Sequence, residues 1–106
     1  MKIARVIGSV SGTIKDSRMV GQKLLLVNVV DADGAILNPS QVATDTCGSG
    51  IGDMVLLASG SAARVPSETS GVPTDETAVM LIDEITVNNQ TTVSYTHLTL
   101  PTILLV

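Results

Sequence analysis

Short runs of aliphatic and β-branched residues, separated by glycine, proline and acidic turn residues, recur along the chain and predict a succession of strands. The first, KIARVIGSVSGT at 2–13, is broken at Gly8 and Gly12 and reads as a bent strand. The polar stretch IKDSRMVGQ follows as a loop. The run KLLLVNVVD, bounded by Lys23 and Asp31, shows no polar alternation and predicts a strand buried on both faces. Asp33 and Gly34 then tolerate the positive φ of a tight hairpin, so 35–45 returns as the partner strand. Pro39 places that partner at an edge or a bulge, because it has no N–H to donate to a ladder.

The segment TCGSGIGD at 46–53 is the most glycine-dense part of the chain, and DMVLLASG after it is another strand. From Ser59 to Thr74 the residues turn small and polar, with two prolines and two glycines. Such a length without a strand pattern predicts either a functional loop or an ordered excursion that makes contacts outside its own subunit. Thr74 or Asp75 can cap a single helical turn over DETAVM at 75–80, and MLIDEITV at 80–87 alternates as a last strand. The expected architecture is all-β: about five strands and one short helix, in a small closed or partly open barrel.

Beyond Asn88 the pattern changes. The stretch 98–106 is apolar with no upstream partner, and VSYTHLTLPT resembles a translated cloning or sequencing adapter. Two readings stay open, a native tail or foreign or frameshifted sequence, so the working domain is residues 1–88 with a tail at 89–106.

Composition narrows the function. The 106 residues suffice for one domain. Apolar residues make up 44%, yet Trp and Phe are absent and Tyr95 is the single aromatic, so the core must be built from Val, Ile, Leu, Met and Ala. A small barrel that binds single-stranded nucleic acid needs aromatic stacking platforms and a basic groove. Neither is present in a chain of net charge −4. The opening MKIARVIGSV is too short an apolar run for a signal peptide, and no stretch reaches the roughly 20 apolar residues that span a bilayer. A cytoplasmic protein is expected, without nucleic-acid or membrane partners.

Candidate chemistry is sparse. His97 is the single histidine and lies in the tail, and one histidine with one cysteine cannot supply an ordinary structural zinc site. Cys47 has no cationic neighbour in sequence to lower its pKa, which favours a small semi-buried residue over a reactive thiol. Gly48-Ser49-Gly50-Ile51-Gly52 lacks the Lys-Ser/Thr pair and helix start of a phosphate cradle, and Asp53 would repel an anion. The cluster is better read as conformational, giving backbone angles and close approach. Asp75, Glu76, Asp83 and Glu84 read as a solvated acidic face, and Arg64 as a contact to another subunit. No cofactor, metal or catalytic group is expected.

Three stretches, in order, carry a family likeness. KIARVIGSVSGTIKDSRMVGQKLLLVNVVDADG, VATDTCGSGIGDMVLLASGSAAR and VPTDETAVMLIDEITV resemble the corresponding segments of the EutN/CcmL family of bacterial microcompartment vertex proteins. The second holds the family's Asp-x-x-Gly-x-Gly-x-Gly-[Asp/Glu]-x-Val pattern and its Gly-Ser-x-Ala-Arg motif. The resemblance implies an OB-like five-stranded barrel that forms homopentamers and caps the vertices of a shell of hexameric tiles. It also implies that Gly48, Ser49 and Gly50 line the fivefold axis, and that Lys23 and Arg64 face neighbouring subunits or tiles. Cys47 and Ser49 stand where the family often has Val and Ala. The competing readings are a free ligand- or oligonucleotide-binding barrel, and a small enzyme using Cys47.

Overall fold

The computed structural model describes residues 1–87, together with the backbone of 90–94. Five strands close a barrel: β1 (Lys2–Val10), β2 (Leu24–Val30), β3 (Ile36–Asp45), β4 (Met54–Ser59) and β5 (Glu76–Leu81). Around the barrel they run β1-β2-β3-β5-β4 and back to β1, the order of an OB-type barrel. All contacts between neighbours are antiparallel except β3 with β5, which meet in parallel at Thr44↔Thr77 and Asp45↔Ala78. A hairpin of β6 (Glu84–Val87) and β7 (Gln90–Ser94) forms a separate two-stranded sheet. Its pairing crosses position 88, where the sequence suggested that the domain ends.

The interior is aliphatic, as the composition requires. Ala4, Val6, Leu25, Val27, Val29, Ala43, Val55, Leu57 and Ala78 form one buried cluster. Val30, Met54 and Ile82 form a second, with Ile3, Leu56 and Ile85 packed against it. Among the described residues no ring fills the centre, so branched side chains from facing strands must interdigitate closely, and burying each contributes about 1.5–3 kcal/mol.

In β1 the inward alternation of Ala4 and Val6 slips at a bulge before Gly8, the bend expected from that glycine. β2 departs from expectation. Leu25, Val27 and Val29 point into the core, whereas Leu24, Leu26 and Asn28 are only half-buried, because a barrel has one inner face and leaves the other outside. In β3 the register shifts opposite Val27 and Val29, next to Pro39 and Ser40, and Ser40 adopts φ 55° with its N–H donated to Asn28 Oδ1 at 2.9 Å.

The helical turn expected over 75–80 does not form: Asp75 is a bend and 76–80 belong to strand β5. A capping signature is local, but Thr77 and Ala78 pair with β3 on one side and β4 on the other, and the barrel cannot close without them. The last strand expected over 80–87 is accordingly divided between β5 and β6. Helical structure among the described residues consists of 3₁₀ turns at Ser17–Met19, Gly60–Arg64 and Ser67–Thr69. The latter two order the small-polar excursion against its own barrel. The Ala63 carbonyl accepts from Thr69 Oγ1 at 2.8 Å and from Thr77 Oγ1 at 2.7 Å, both in buried positions.

Candidate assembly site around the glycine loop

The loop 46–53 joins β3 to β4 and is wound around one carboxylate. Asp45, the last residue of β3, has a side chain 1% exposed. Its Oδ1 accepts from the Cys47 N–H at 3.0 Å, the Cys47 thiol at 3.4 Å and Ser49 Oγ at 3.1 Å. Its Oδ2 accepts from the Ser49 N–H at 2.9 Å and lies 3.4 Å from Lys23 Nζ. An aspartate taking backbone N–H groups two and four residues ahead is a local turn former, and Asp-x-Cys-x-Ser supplies that spacing. Burial raises the Asp45 pKa, but the donors of Cys47 and Ser49 outweigh it and hold the group below the ordinary carboxylate value.

The second half of the loop closes on Asp53. Gly50 N–H donates to Asp53 Oδ2 at 2.8 Å, and the Asp53 N–H returns to the Gly50 carbonyl at 3.0 Å. Backbone bonds between Gly52 and Val6 and between Val6 and Asp53, at 2.8 and 2.9 Å, fasten this half to β1. Arg5 Nη1 donates to the Gly52 carbonyl at 3.2 Å. Gly48 and Gly52 hold φ of 70° and 95°, angles that any other residue adopts at a cost.

Each expected site residue now has a place. Gly48 and Gly50 are exposed, so their backbone is presented outward. Ser49 is fully buried, with its hydroxyl turned in on Asp45. Lys23 comes to the same loop: its Nζ donates to the Ser49 carbonyl at 2.6 Å, while its side chain remains 52% exposed. Arg64 sits apart on the excursion, exposed, with Nη1 donating to the Thr74 carbonyl at 2.8 Å. Cys47 is half-buried, and its pKa is pushed up to about 11, first by burial and then by its bond to Asp45. His97 lies outside the described residues.

Glu76 departs from the solvated acidic face expected of it. Asp75, Asp83 and Glu84 are exposed, whereas Glu76 is buried, accepting from Lys2 Nζ at 3.1 Å and Ser59 Oγ at 2.8 Å. These contacts tie β1, β4 and β5 together. Asp45 was visible in sequence only as the first letter of a motif. Nothing in a linear reading shows that Lys23, 22 positions earlier, closes over its loop.

The outer wall is apolar where strands β1, β2 and β3 meet. Gly8 stands opposite Leu26 and Leu26 opposite Val42, with Val10 opposite Leu24 one step along. Val42 is 46% exposed and Val10 37%. An open groove of about 240 Å³, lined in part by Val10, Met19 and Leu24, continues this surface.

Residues 1–83 match the family model described as ethanolamine utilisation protein EutN/carboxysome. The chain belongs to the EutN/CcmL family. It is 39% identical over 89 residues to the carboxysome shell vertex protein CcmL of Thermosynechococcus vestitus, covering 84% of this chain and 90% of that one. The solved CcmL of Nostoc sp. superposes with a TM-score of 0.84 at 40% identity, covering 90% of this chain and all of the other. A pentameric microcompartment shell protein, GrpN of Rhodospirillum rubrum, superposes with a TM-score of 0.72 at 34% identity, covering 83% of this chain and 100% of its own. The expected all-β, OB-like barrel of this EutN/CcmL chain is thus shared with solved members of its family, and the relatives are structural shell proteins rather than enzymes.

Proposed function

We propose that this chain is a structural subunit of a bacterial microcompartment shell, forming homopentamers that occupy the vertices. The match along most of the barrel to a pentameric shell protein and to vertex proteins carries the reading. The apolar outer wall across β1, β2 and β3 supports it, because a soluble monomer rarely leaves contiguous branched side chains uncovered, and a ring buries one patch pair at each interface.

In this arrangement Gly48, Ser49 and Gly50 lie near the fivefold axis. The two exposed glycines let five backbones approach there, while Ser49 stays turned to Asp45. Arg64 and the exposed side of Lys23 face neighbouring subunits or tiles. The partners are sister chains and hexamer-forming shell proteins. The product is geometry: a flat hexagonal lattice closes only where fivefold units supply curvature.

Co-expression with a hexamer-forming shell protein tests this. Electron microscopy should show closed polyhedral particles with the chain present and open sheets or tubes without it. Identical particles in both cases would refute the vertex role.

A further inference from the structure

We propose that Asp45 is the positioning residue of the assembly loop: its buried carboxylate, gripped by Cys47 and Ser49 and covered by Lys23, fixes the loop shape that sister chains meet, so that losing its charge loosens the ring. The inference rests on the ring reading above and assigns that reading a control point.

The donor set is what requires the charge. Two backbone N–H groups, a hydroxyl and a thiol converge on the two oxygens, and the Lys23 ammonium lies 3.4 Å from Oδ2. An ionised carboxylate is acceptor-only, and every one of these groups can donate to it. An asparagine of the same shape must turn an NH₂ toward one of these donors, leaving two donors facing each other in a buried place. A protonated aspartic acid has the same defect at one oxygen. Lys23 Nζ adds a second hold by donating to the Ser49 carbonyl, so one cation braces both the carboxylate and the loop it shapes.

Among the described residues, the groups around the loop are few. Lys23 and the Cys47 thiol face Asp45 directly. The thiol and Thr46 Oγ1 also reach the Ala78 carbonyl of β5. Arg5 of β1 and Asp53 serve the other half of the loop through Gly52 and Gly50. The Asp45 carboxyl is depressed in the folded chain, so its contribution is complete above the ordinary carboxylate value of 3.8 and is lost as pH falls through the lower folded value.

The test compares the wild-type chain with Asp45→Asn, Lys23→Met and Lys23→Arg by sedimentation and by amide NMR. Asp45→Asn should raise the concentration for half-assembly at pH 7 by about tenfold or more, the effect of leaving buried donors unpaired. Lys23→Met should weaken assembly less, and Lys23→Arg should restore it. The Cys47 and Ser49 amides of the wild type should move together on acidification below pH 3.8, toward the positions they already hold at pH 7 in Asp45→Asn. If Asp45→Asn is too unstable to purify, the Lys23 pair and the wild-type acid titration carry the test. Unchanged assembly in Asp45→Asn, or in the Lys23 pair if that variant cannot be purified, overturns the proposal, as do Cys47 and Ser49 amides that stay fixed through the titration. A wild type that is monomeric at neutral pH would instead end the ring reading, while the amide titration would still decide whether Asp45 shapes the loop.

Discussion

At the scale of single residues, the chain spends its polar side chains on holding loops rather than on reacting. Cys47 illustrates this. Its thiol donates to Asp45 and reaches toward the Ala78 carbonyl, and with a pKa near 11 it carries little thiolate at neutral pH. Alkylation by iodoacetamide at pH 8 should run about a hundredfold slower than for an ordinary thiol of pKa 8.5–9, from the thiolate fraction alone. A rate equal to that of glutathione would show the thiol is free. The sequence already argued against a reactive cysteine, because no cation flanks it. It could not show that burial, and then the neighbouring carboxylate, raise the pKa. Glu76 was legible only as an acid, since its partners Lys2 and Ser59 are brought to it by strand pairing across the barrel. Asp45 was legible as a motif letter, and its role follows from three-dimensional convergence of Cys47, Ser49 and Lys23.

Among the elements, those bounded by strong turn chemistry were readable in advance. The hairpin at Asp31 to Gly34 forms where expected, although only Gly34 of the Asp33-Gly34 pair takes a positive φ, and Asp31 Oδ1 accepts from the N–H groups of Asp33 and Ala35 at 2.9 Å each. β5 was not readable, since Thr74-Asp75-Glu76 offers a capping signature while the parallel pairing with Thr44 and Asp45 is remote in sequence. Tertiary pairing overrides so short a helical preference. The barrel and the β6–β7 hairpin belong to different sheets. A chain ended at Asn88 should therefore keep a closed barrel and its cooperative melting transition, measured by far-ultraviolet dichroism and calorimetry. Loss of that transition would mean the hairpin is part of the folding unit. Ile85 packs against the second core cluster and remains in such a chain.

For the whole molecule, stability and assembly draw on different surfaces. Inside, Leu57 is fully buried in a core whose described members are aliphatic, and Leu57→Ala should cost about 2–5 kcal/mol in urea unfolding, because branched neighbours cannot collapse into the space. A loss under 1 kcal/mol would contradict the close packing described. Outside, Val10 and Val42 are exposed and Leu24 and Leu26 only half-buried, which leaves apolar surface for a second copy to cover. Among the described residues no helix is long and apolar enough to cross a membrane. If identical barrels close into a ring of five, native mass spectrometry at micromolar concentration and neutral pH should return a dominant species of five chain masses, whereas a monomer or a ring of any other number would rule the fivefold ring out.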